Sequence, residues 1–152
     1  MKLDTIDKKL INLLQADSKQ TNKNLARQLD LSVTAVYERV RKLERSGVIT
    51  GYQAVINQNK VDKAFVVFCH IKLVQHSKEY LTAFEKAVIT LDEVLECHHV
   101  SGDYDYILKI VLEDMQEYRE FMVTKLTTLK HIGSTHSIFR ISEVKYTTAI
   151  TL

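Results

Sequence analysis

Two stretches of this 152-residue chain carry side chains whose types and spacing suit the capture of something charged. Residues 101–106 read SGDYDY, a glycine and two carboxylates just before the apolar run Ile107-Leu108-Lys109-Ile110-Val111. A half-buried strand has little use for acids at its entrance unless they hold a partner, which singles out Asp103 and Asp105. The second stretch is residues 33–45, VTAVYERVRKLER. At helical spacing Val33, Val36, Val40 and Leu43 share one stripe, leaving Thr34, Ala35, Tyr37, Glu38, Arg41, Lys42 and Arg45 outside and Arg39 on the flank. Small residues near the amino end of a helix and bases behind them suit an approach to DNA. Thr34 and Ala35 can touch thymine methyls, Glu38 can accept from a cytosine amino group, and Arg39 or Arg41 can reach a guanine edge. Lys42 and Arg45, with Lys23 and Asn24 further upstream, are expected to position the phosphates, and Ser32, which caps the helix, joins the same candidate set. The plainer alternative is a solvated basic face.

A third constellation, Cys69-His70, Cys97-His98-His99, His131 and His136, suggests a metal, but alternation works against one site. Along a strand Cys97 and His99 point one way and His98 the other. No metal, no cofactor and no catalytic set is therefore expected. Cys69 and Cys97 read as reduced, buried small hydrophobes rather than a disulfide framework.

The elements that must carry these groups follow from punctuation and period. Apolar residues make up 45% and charged residues 26%, enough for a real core and too apolar for a disordered chain. No apolar run approaches the ~18 residues of a membrane span, and the polar start MKLDTIDKK has no signal-peptide character, so a cytoplasmic location away from membranes is expected. Residues 1–60 hold 11 Lys/Arg against 6 Asp/Glu, and residues 61–152 hold 10 against 13. A basic module for a polyanion is thus joined to an acidic remainder.

Leu3, Ile6, Leu10, Leu13 and Leu14 predict a first helix over about 4–16, started by Asp4 or Thr5. Thr21 caps a short second helix with Leu25, Ala26 and Leu29 inward, and Ser32 caps a third reaching about Arg45. The tight corner Asp30-Leu31 between the last two makes a helix-turn-helix over residues 1–50. Tyr52-Gln53-Ala54-Val55-Ile56 reads as a strand, and residues 51–63 as strand and hinge. Beyond them come a strand near 64–73, a helix near 78–90, strands near 94–100 and 104–112, a helix near 115–129 with Met115 inward, and a strand near 135–146. That order, βαββαβ, gives residues 64–152 a ferredoxin-like fold and the whole chain an α+β class. One sheet face then lacks helices, and pairing with a second copy is the simplest cover.

LSVTAVYERVRKLERSGVITGYQAVIN, followed about 45 residues later by ECHHVSGDYDYILKI, resembles the Lrp/AsnC (leucine-responsive, feast/famine) family of transcriptional regulators. The resemblance runs from about Leu3 to the end. It implies a plain or winged helix-turn-helix on double-stranded DNA, a domain that dimerises and often assembles to octamers, and an amino acid bound between subunits. It also implies that Ser101, Gly102, Asp103, Tyr104 and Asp105 lie at the subunit interface, with Thr135 and Ile138 closing the pocket. Val33 departs from the family's usual proline, and Asn24 from the glutamate that would complete a capping box with Thr21.

An α-amino acid needs an acid for its ammonium and free backbone N–H groups for its carboxylate, so Asp103 or Asp105 serves the first and a turn at Gly102 the second. Alternatively both acids cap a tight turn or pair with Lys109. A ligand there can shift assembly only by its differential affinity for two arrangements. Two rivals remain: an enzyme similar to the sirohaem decarboxylases, and an amino-acid sensor without DNA binding. The first needs a basic second domain, and Arg119 and Arg140 are its only arginines.

Overall fold

The computed structural model describes residues 2–152, which fall into two compact units. The first runs up to Val55 and includes Lys145–Leu152; the second is Ile56–Val144.

In the first unit, α1 (Thr5–Ala16), α2 (Asn22–Leu29) and α3 (Val33–Arg45) start where side-chain oxygens satisfy first-turn N–H groups. Asp4 and Asp7 form a reciprocal capping box on α1, while Thr21 accepts from the Asn24 N–H and Ser32 from the Ala35 N–H. The corner after α2 turns on Asp30 in the left-handed region at φ 54°, a conformation that aspartate tolerates better than most residues. α3 ends at Gly47, whose φ of 71° lets the Val48 N–H return to the Leu43 carbonyl. Leu10, Leu25, Val36 and Leu43 are almost wholly buried between the three helices. Val33, expected in this stripe, is 48% exposed. It occupies the first helical position, where the side chain leans toward the helix start and past its packing partners.

Residues 52–56 form no strand. An extended segment needs a ladder partner, and no described strand lies beside this one; Tyr52 instead donates its hydroxyl to Glu44. The tail returns to α1, where Gln15 takes both the N–H and the carbonyl of Ile150 in the manner of a backbone neighbour.

The second unit is β1 (Phe65–Leu73), α4 (Lys78–Val88), β2 (Val94–His99), β3 (Tyr106–Leu112), α5 (Met115–Thr124) and β4 (Ile132–Phe139), the expected βαββαβ order. The sheet is antiparallel with strand order β2-β3-β1-β4. Val67, Cys69, Ile71, Tyr106, Leu108 and Ile110 pack with Phe84, Val88, Tyr118 and Phe121 of the helices. The opposite face carries Phe68, His70, Ile107, His136 and Ile138, cross-strand neighbours by register. α5 stops at Thr124, short of the expected 129, and a 3-10 turn at Leu126–Thr128 replaces its last part. Met115, at the first position of α5, is 44% exposed rather than inward, for the same reason as Val33. β4 ends at Phe139, opposite Val67 near the start of β1, and the Arg140 N–H adds one further bond, to the Val66 carbonyl.

Candidate DNA interface and effector loop

The outer face of α3 is laid out largely as its spacing predicts. Thr34, Tyr37, Glu38, Arg41, Lys42 and Arg45 are exposed, Ala35 is half-buried, and Lys23 and Asn24 are exposed in the first turn of α2. The Ser32 hydroxyl oxygen accepts from the Ala35 N–H at 3.1 Å, which starts the helix and leaves its proton for a donor contact at the exposed surface. Tyr37 and Arg41 form a unit: the guanidinium lies 5.6 Å from the ring centroid and donates to the phenol oxygen at 3.2 Å. Such stacking preorganises the planar Arg41 fork for a partner with two acceptor atoms, such as a guanine edge or a phosphate. Arg39 is placed otherwise than its expected guanine contact requires. It turns toward α1 and donates to Asp4 at 2.8 Å and Asp7 at 2.6 Å.

In the second unit residues 101–105, SGDYD, lie in the turn between β2 and β3. Gly102 holds φ at 125°, a conformation that side-chain-bearing residues rarely adopt, so the turn depends on glycine here. The two acids have different fates. Asp105 is mostly buried and fully engaged: one carboxylate oxygen accepts from the Leu73 N–H at 2.7 Å, and the other contacts His76 Nδ1 at 2.8 Å. Its own N–H donates to the Ile71 carbonyl, while its carbonyl accepts from the Val100 N–H. The Leu73 N–H first, and His76 after it, hold the Asp105 carboxyl below the usual carboxylate range. Asp105 therefore staples the turn to the end of β1. Asp103 is exposed and bonded to none of the described residues, and none of the N–H groups of residues 101–104 donates to a described residue. Lys109, the alternative partner for both acids, pairs with Glu96 at 2.7 Å.

Tyr104 lies over the open sheet face, edge-on to His70 at 4.9 Å between ring centroids and stacked with His136 at 6.2 Å. Thr135 and Ile138 do not share a face. Thr135 sits opposite Ile71 on the helix side, at the sheet end where the turn lies, whereas Ile138 sits opposite Phe68 on the open side. An odd spacing of three along a strand separates them. Thr135 and the turn thus flank the end of β1, and Ile138 belongs with the open face. Sequence reading missed His76 and placed His70 only in the metal constellation; strand register brings His70 to Tyr104, and the segment just after β1 brings His76 to Asp105. Burial raises the Cys69 and Cys97 thiols, in keeping with small hydrophobes, and Cys97 points to the helix side while His98 faces the other.

Residues 3–50 match the winged helix-turn-helix DNA-binding family, and residues 66–150 match the Lrp/AsnC ligand binding domain. The chain is 40% identical over 150 residues to the leucine-responsive regulatory protein of Haemophilus influenzae, covering 99% of this chain and 90% of that protein. It is also 40% identical over 143 residues to the protein of that name in Escherichia coli K12, covering 94% and 87%. Among solved structures, an AsnC family transcriptional regulator from Agrobacterium tumefaciens superimposes with TM-score 0.92 at 34% identity, over 97% of this chain and 96% of that one. A transcriptional regulator from Neisseria meningitidis in complex with L-methionine gives 0.93 at 27% identity, over 98% and 96%. With its ligand-binding part matched along more than half the chain and its reader helices along nearly all the rest, this protein belongs to the Lrp/AsnC family of DNA-binding transcriptional regulators with a ligand-binding domain.

Proposed function

We propose that the chain is an amino-acid-responsive regulator in which residues 1–50 read double-stranded DNA, 51–63 form the connection, and 64–152 bind the effector and self-associate. Thr34, Ala35, Glu38 and Arg41, steadied by Tyr37, face base edges; Lys23, Asn24, Lys42 and Arg45 face phosphates. The observation that carries the effector half is the split between the two acids. Asp105 holds the turn in shape, which leaves the free Asp103 carboxylate for an ammonium and the N–H groups of Gly102, Asp103 and Tyr104 for a carboxylate. Thr135 flanks this site, and Ser101 begins the turn.

The Neisseria relative was crystallised with L-methionine, and the same ligand class fits this turn. The open face, with Phe68, Ile107 and Ile138, supports pairing with a second copy, and dimers assemble further toward an octamer. The second unit's acidic balance disfavours a polyanionic substrate, so no catalytic step belongs to this reading. Among the described residues no helix is long and apolar enough to cross a membrane, and a regulator of DNA works in the cytoplasm. Fluorescence anisotropy of a labelled duplex across a salt series tests the reading. Log affinity should fall linearly with log salt, by about 0.9 per neutralised phosphate. A flat line would remove the DNA half of the proposal, and sedimentation as a monomer would remove the interface.

A further inference from the structure

Asp7 is 2% exposed, the one buried charged side chain among the described residues, and beyond capping α1 and pairing with Arg39 it has no part in the function proposed above. All four carboxylate oxygens of Asp4 and Asp7 are occupied. Asp4 Oδ1 accepts from the Asp7 N–H at 2.7 Å, and Asp7 Oδ2 accepts from the Asp4 N–H at 3.2 Å. The remaining pair, Asp4 Oδ2 and Asp7 Oδ1, both receive Arg39 Nη1, at 2.8 and 2.6 Å. One guanidinium from the middle of α3 thereby closes the capping box that starts α1. A buried carboxylate is held only where its charge is matched, so rotating α3 about its axis or sliding it along α1 would strand Asp7. Asp4 and Arg39 also line one shallow concavity with Glu38, Lys42, Arg45 and Ser46, so the network borders directly on the basic surface.

We infer that Arg39 is a positioning residue for DNA recognition, clamping α3 to the start of α1 so that Thr34, Glu38 and Lys42 reach the groove in register. This rests on α3 being the reader, and it adds a role for two acids that no contact with DNA would predict. The consequence has an unusual sign. Neutralising Asp4 or Asp7 removes negative charge beside a DNA-binding face, which by field alone should tighten every duplex alike. A clamp predicts the reverse, and only for the sequence that α3 reads.

The probes are a duplex selected by the wild-type chain from a random pool and a scrambled duplex of equal composition. Full-length Asp4→Asn, Asp7→Asn and Arg39→Gln are assayed well below their melting temperatures, established by circular dichroism. Asparagine caps a helix about as well as aspartate, so Asp4→Asn spares the fold even if Asp7→Asn does not. Each variant should lose roughly tenfold or more on the selected duplex, the size of one charge-assisted contact, with scrambled binding and the salt slope unchanged. Tighter binding of both duplexes by the Asp variants would overturn the inference. So would a slope for Arg39→Gln that falls by about 0.9, one phosphate's share, or relaxed preference at a single base pair. If wild-type α3 proves not to be the reader, Lys42→Ala will show it separately by leaving the slope untouched.

Discussion

At the scale of single residues, Asp103 and Asp105 are alike in sequence and different in space. Asp105→Asn removes a charge-assisted bond to the Leu73 N–H and the contact with His76, and should cost about 1–2 kcal/mol in urea unfolding. Asp103→Asn breaks no bond to a described residue and should leave stability within about 0.5 kcal/mol while abolishing any amino-acid response. Equal effects of the two changes on stability would contradict the assignment. The pH dependence has a defined sign. The Asp105 carboxyl lies below its unfolded value, so its stabilisation is present above the ordinary carboxylate range and is lost as pH falls through the lower, folded value. Urea midpoints followed from neutral to acid pH should therefore fall less steeply in Asp105→Asn than in wild type. The sequence marks this turn as a site, because acids before an apolar run are conspicuous there. It cannot say which acid is the staple, since Leu73 and His76 reach Asp105 only through the pairing of β1 with β3. Arg39 has the same history. Its spacing puts it on a flank, and only the packing of α3 on α1 turns it inward.

The elements themselves are legible where local chemistry decides them. Asp4, Thr21 and Ser32 stand where α1, α2 and α3 begin, because each supplies an oxygen to N–H groups that the helix cannot satisfy. Segments that depend on a distant neighbour are less legible. Residues 52–56 read like a strand yet find no ladder among the described strands, and β4 stops at Phe139, opposite Val67, well short of the expected 146. The first-turn residues Val33 and Met115 mislead for a related reason, since a periodic stripe says nothing about where the partner helices stop. On α3 the division between base and phosphate contacts makes a direct prediction. Lys42→Ala should weaken selected and scrambled duplexes alike and flatten the salt slope by about 0.9, read from anisotropy titrations. Beneath that surface Leu43 is fully buried, and Leu43→Ala should cost about 2–5 kcal/mol in the unfolding of the helical unit, monitored by circular dichroism. A milder cost would mean that the reader tolerates a cavity at its hinge with α1 and α2.

For the molecule as a whole, the proposed function joins a reader of polyanions to a module that pairs with its own kind and takes a zwitterion. Coupling between them is limited by the ligand's preference for one arrangement over another, and a hundredfold preference is worth about 2.7 kcal/mol. That is enough to redistribute dimers and larger assemblies, and hence the spacing between reader helices presented to DNA. The most direct test is affinity for a selected duplex at fixed salt, measured with and without each of the common L-amino acids, in wild type and in Asp103→Asn. At least one amino acid should change wild-type affinity by several-fold, with sedimentation changing in step, and Asp103→Asn should bind the duplex normally and ignore that amino acid. A wild-type chain indifferent to every amino acid, or a response that survives in Asp103→Asn, would contradict the account.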